Sequence, residues 1–102
     1  MGILDLLFGK QNKKVQEYLD KGAILLDVRT KQEWNAGHIK KAIHIPLDQL
    51  NNRLNEVKKL KKPIIVYCAS GVRSGKAAKF LSLNNIEAIN GGGVNSLSAL
   101  LN

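Results

Sequence analysis

Residues 63–79 hold the chemistry that this chain can do. Pro63 opens an apolar run, Ile64-Ile65-Val66-Tyr67, and the single cysteine of the protein, Cys68, stands where the run ends. Short β-branched runs of this kind read as strands buried on both faces. Ala69, Ser70, Gly71, Val72, Arg73 and Ser74 follow, and then Ala77, Ala78, Phe80 and Leu81 set a helical pattern that ends near Leu83. A strand that feeds a tight loop into a helix start offers an anion unpaired N–H groups and the positive end of the helix dipole. A thiol in such a loop ionises readily and reacts as thiolate. Arg73 adds a forked cation that suits an oxyanion, or else a salt bridge that shapes the loop. Ser74 can hydrogen-bond the sulfur or cap the helix. Gly71 supplies a backbone angle or a close approach that a side chain would block, and Val72 reads as a pocket wall.

The elements that must position this loop follow from periodicity. Residues 11–21 place Val15, Tyr18 and Leu19 on one helical face, with Asn12 a candidate N-cap and Gly22 the stop. Ala23–Val28 reads as a buried strand ending near an acid, Asp27. Thr30-Lys-Gln-Glu33 is a capping box and predicts a helix over 31–36. Ala42–Ile45 is a short strand closed by Pro46. Leu47, Leu50, Leu54 and Val57 predict a helix of about three turns. Ile86–Ile89 is the last strand, Gly91–Gly93 a loop, and Val94–Leu101 a final helix. Strands alternate with helices, so the fold class is α/β, a mostly parallel central sheet with helices on both faces. Ligands bind such sheets at the carboxyl ends of the strands, where Asp27, Cys68 and the Gly91–Gly93 loop all fall.

Cys68-Ala-Ser-Gly71-Val-Arg73-Ser74 resembles the active loop of the rhodanese (sulfurtransferase) domain, in which Cys-x-x-Gly-x-Arg-Ser/Thr carries a persulfide. Asp27-Val28-Arg29, Glu33-Trp34, Gly37-His38-Ile39, Ala42-Ile43-His44-Ile45-Pro46 and Asn90-Gly91-Gly92 resemble the other blocks of that family, in order. The resemblance covers residues 15–101 or so of a single domain, 1–102, and leaves 1–11 as an N-terminal apolar extension. It implies a Cys68 persulfide as catalytic intermediate, a small anionic sulfur donor such as thiosulfate, a thiol, cyanide or protein acceptor, and no cofactor. Asp27, Arg29 and Glu33 are then supporting residues: Asp27 accepting N–H bonds that fix the active loop, Arg29 and Glu33 paired across their turn. Many rhodanese domains carry a Trp after the Gly-Gly, where this chain has Val94-Asn95.

Two rivals belong to the same scaffold. A phosphatase or arsenate reductase would use a Cys-x5-Arg loop, one residue longer than the Cys-x4-Arg found here, and a shorter loop suits one sulfur better than a phosphoryl group. A sulfur-relay or recognition module would bind a partner protein and turn over little. Zinc at His38, His44 and Cys68 is disfavoured, because their spacing is not that of a metal site.

Charge and cysteine count bound the setting. The net charge is +8, and residues 57–102 carry seven basic side chains against one acid, so the half that holds Cys68 is electropositive. Nucleic acid is disfavoured as the partner, since Lys58, Lys59, Lys61 and Lys62 have no interleaved aromatics. One cysteine excludes an internal disulfide and a resolving thiol. No apolar run reaches the roughly 20 residues of a membrane span, and Met1–Lys10 lacks a signal-peptide n-region, so a cytoplasmic protein is expected. Residues 3–8 read as an apolar patch packed on the body.

Overall fold

Four short strands lie parallel in the order β2-β1-β3-β4. They are β1 (Ile24–Asp27), β2 (Ile43–His44), β3 (Ile64–Cys68) and β4 (Ala88–Gly93). The computed structural model describes residues 3–101, and the side chains of residue 9 and of residues 11–101. The patch expected over residues 3–8 therefore lies outside the described side chains.

All five residues of β3 are buried, as expected of a central parallel strand covered on both faces. Alternation along it divides the core. Ile64, Val66 and Cys68 pack with Leu50, Val57 and the Ala77, Ala78, Leu81 stripe of α4 (Val72–Leu83). Ile65 and Tyr67 point the other way, onto Val15 and Tyr18 of α1 (Ile3–Asp20) and Leu97 of α5 (Val94–Leu101). The predicted helices thus cover both faces of the sheet, and Cys68 faces the α4 side.

Three expectations need correction. The first helix starts at Ile3, so Asn12 is interior and not an N-cap. One glycine, Gly9, costs a helix only about 1 kcal/mol and does not break a proline-free run. Gly22, at φ 81°, closes α1 as expected. The helix expected from Leu47 is two pieces, a 3-10 turn (Leu47–Gln49) and α3 (Leu54–Leu60). Asn51 and Asn52 favour the turn between them, where Arg53 N–H bonds to Gln49 O and Leu50 O. Leu50 and Val57 still reach the core, both 1% exposed. Finally, β4 runs through the glycines rather than stopping before them. Val66 pairs with Asn90 and Tyr67 with Gly92, so Gly91 is the extra residue of a bulge. A Cβ on Gly91 would lie 2.6 Å from Ile65 Cγ2, and one on Gly93 2.6 Å from Ala69 O. Only glycine lets β4 come this close to the loop after Cys68.

Candidate active site

Cys68 ends β3 with its side chain fully buried. Gly71, at φ 97°, turns the chain so that its own N–H points back at the sulfur, 3.0 Å from Sγ. Ser74, in the first turn of α4, adds its backbone N–H at 3.4 Å and its hydroxyl at 3.3 Å. Burial pushes the thiol pKa up. The Ser74 hydroxyl and the N–H groups of Ser74, Gly71 and Ser70 pull it down and prevail, so the thiol ionises below its ordinary value. Ala69, Ser70 and Val72 form the exposed outer side of the loop. Val72 is 65% exposed, so it stands in solvent and is not the pocket wall expected of it.

Asn90 was not singled out among the candidate residues, yet it ties the loop together. Its Nδ2 donates to Gly71 O at 2.9 Å. Its Oδ1 accepts from Gly92 N–H at 2.9 Å and from the Ser74 hydroxyl at 2.6 Å. The Ser74 hydroxyl has one proton and two acceptors, Asn90 Oδ1 and Sγ. With a neutral thiol, S–H donates to Ser74 Oγ and O–H to Asn90. With a thiolate, the hydroxyl can turn to the sulfur. The sequence signals for Asn90 are its place in the Asn90-Gly91-Gly92 block and an amide directly before three glycines.

This arrangement predicts that Ser74→Ala raises the pH midpoint of Cys68 alkylation by iodoacetamide. At neutral pH the reaction should slow by about tenfold, the worth of one hydrogen bond to a charged acceptor. An unmoved pH midpoint would remove Ser74 from the sulfur's environment.

The charged residues pair differently from the expectation. Asp27 does not reach the active loop. It accepts Arg29 N–H at 2.8 Å, and its carboxylate takes Arg29 Nε and Nη2 at 2.8–3.1 Å. Arg29 Nη2 also donates to Gly37 O at 2.7 Å, pinning the turn after α2 (Lys31–Asn35). Arg29 and Glu33 therefore do not pair. Glu33 completes the predicted capping box with Thr30 and receives both arms of Arg73, Nη1 at 2.7 Å and Nη2 at 3.0 Å. Arg73 first, and the Thr30 N–H next, hold the Glu33 carboxyl down at about 2. The reason for the mismatch is geometric: Asp27, two residues from Arg29 and fully buried, needs the guanidinium more than half-exposed Glu33 does.

His38 and His44 stack on Trp34, with ring centroids 3.4 and 4.8 Å away. Among the described residues no group of three His, Cys, Asp or Glu side chains could hold a metal ion.

A family model of the rhodanese-like domain matches residues 11–99. The Bacillus subtilis (strain 168) protein YqhL is 46% identical over 67 residues, 66% of this chain and 52% of that one. A tRNA uridine(34) hydroxylase of Escherichia coli O81 (strain ED1a) is 31% identical over 103 residues, 86% of this chain and 29% of the hydroxylase. The chain thus spans about half the length of the first relative and under a third of the second. The crystal structure of a rhodanese-like domain protein from Staphylococcus aureus matches with a TM-score of 0.71 at 32% identity, covering 84% of this chain and 86% of that one.

Proposed function

This chain belongs to the rhodanese-like domain family, and we propose that it is a sulfurtransferase carrying sulfane sulfur as a persulfide on Cys68. One observation supports the reading: the N–H groups of Gly71 and Ser74 point at a single sulfur atom, with the Ser74 hydroxyl beside it. The loop is Cys-x4-Arg, one residue shorter than the Cys-x5-Arg loop of a phosphatase, which disfavours the phosphatase reading.

The Cys68 thiolate attacks the outer sulfur of thiosulfate. A Cys68 Sγ–S bond forms, the S–S bond of thiosulfate breaks, and sulfite leaves with the electron pair. The new terminal sulfur is anionic, and the N–H groups of the loop from Ala69 to Ser74 stabilise it as an oxyanion hole stabilises oxygen. An acceptor thiolate or cyanide then attacks that sulfur, and Cys68 departs as thiolate. Two half-reactions through a covalent intermediate give ping-pong kinetics. Because Cys68 is fully buried, the exposed loop of Ala69 and Ser70 must part for the donor to reach it. A lone acidic thiol with no partner for a disulfide suits the reducing cytoplasm.

Intact mass after incubation with thiosulfate tests the reading. The expected result is a gain of one sulfur atom, lost on adding cyanide with release of thiocyanate. No gain with thiosulfate or with an alkyl persulfide would overturn it.

A further inference from the structure

We propose that Glu33 determines donor specificity: by neutralising Arg73 it biases the site against dianionic thiosulfate and toward an alkyl persulfide with a single negative charge. The inference rests on the sulfur-transfer reading and names the donor class for it.

Two observations lead there independently. The first is charge. Arg73 is the cation of the active loop, and the Cys68 thiolate lies within its electrostatic reach. Its two terminal nitrogens are both engaged by the Glu33 carboxylate, at 2.7 and 3.0 Å. The other arginine at this end of the sheet, Arg29, is spent on buried Asp27. The guanidinium that would attract a sulfonate therefore arrives with its charge already balanced. A dianion gains less from such a site than from a bare arginine, and the deficit scales with the donor's charge.

The second observation is shape. A groove of about 440 Å³ opens beside Arg73, walled by Val28, Pro46 and Leu47, with Lys31 and Asp48 bringing one charge of each sign to its lining. Its lining is chiefly apolar. Thiosulfate, a small ion hydrated on all sides, has nothing to place there. The carbon chain of an alkyl persulfide does. The transfer balances without an oxidant or reductant: the Cys68 thiolate attacks the outer sulfur of R–S–S⁻, the S–S bond of the donor breaks, and R–S⁻ leaves with the electron pair while Cys68–S–S⁻ forms.

Glu33→Gln tests this cleanly, because glutamine also serves at the third position of a capping box. The helix start is kept and only the charge goes. Loading rates of Cys68 are compared for thiosulfate and for N-acetylcysteamine persulfide, whose only charge is on sulfur. Removing one negative charge should help both donors, but thiosulfate more. The ratio of kcat/KM, thiosulfate over persulfide, is expected to rise roughly tenfold, mainly through a lower KM for thiosulfate. Glu33→Asp, which keeps the charge, should hold the ratio near the native one. In an Arg73→Met background, Glu33→Gln should change the ratio far less, since the effect runs through Arg73. A ratio unchanged in Glu33→Gln, or both donors changed alike, overturns the inference while leaving the persulfide reading intact. If neither donor adds sulfur to the native chain, it is the persulfide reading that fails.

Discussion

Cys68→Ser is expected to fold as the native chain does and to transfer no sulfur. The serine oxygen is smaller than the thiol it replaces and can accept the same Gly71 and Ser74 N–H groups that now reach Sγ, so no buried donor is orphaned. An alkoxide is out of reach near neutral pH, however, and there is no second cysteine to take over. Transfer should fall by at least about three orders of magnitude, as when other covalent catalysts lose their nucleophile. Intact mass should show no sulfur adduct, and the circular dichroism should be native. Residual loading in this variant would sink the mechanism. In the native chain the loading rate should follow the thiolate fraction. The hydrogen bonds on Sγ outweigh burial and hold the thiol pKa below its ordinary value. The rate should therefore rise with pH and level off at lower pH than for a free thiol.

Arg29→Met is the other large effect, and it falls on stability. Met fills much of the space of the arginine stem, but three hydrogen bonds to the Asp27 carboxylate disappear. Asp27 is fully buried, and its remaining backbone partner is Arg29 N–H. Removing one partner of a buried ion pair costs about 3–5 kcal/mol, because the other charge stays in the interior. Against a domain stability of about 5–15 kcal/mol, that is a large share, and Tm should fall by about 15 °C or more. The double variant Asp27→Asn, Arg29→Met removes both charges and should recover part of the loss. A Tm drop of under about 5 °C in Arg29→Met would mean that the pair is not what holds this corner of the sheet.

Where the signals were local, the fold and the loop were legible. The Ile64–Tyr67 run, the small residues after Cys68 and the Ala77, Ala78, Leu81 stripe give strand, turn and helix from neighbours alone, and the structure has all three. The Thr30–Glu33 capping box is equally local and is present. What could not be read was pairing across the chain. Arg73 meets Glu33 forty positions away, and no spacing rule connects them. The nearer pairing, Arg29 with Glu33, looked reasonable because both sit on one turn, but the buried carboxylate of Asp27 claims the guanidinium. Asn90 belongs to a block that the sequence marks, but its role was hidden for the same reason: its three partners lie in the loop, in α4 and in β4. The glycines after it misled in another way. Their low strand propensity suggested a loop, whereas their missing side chains are what admit β4 beside Ile65 and Ala69.

The dependence of the loop on β4 has a consequence for how the protein comes into being. On the ribosome, Cys68 leaves with its local donors, Gly71 and Ser74, but without Asn90 and the three glycines that lock them in place. At roughly 5–20 residues per second, the nascent chain spends about one to five seconds in that condition. During that interval the hydrogen bonds from Asn90 to Gly71 O and from the Ser74 hydroxyl to Asn90 are missing. The surroundings of Cys68 are thus late to mature. Its loop is completed when the last strand docks, so a chain interrupted before Asn90 carries Cys68 without the side chain that ties Gly71 to Ser74.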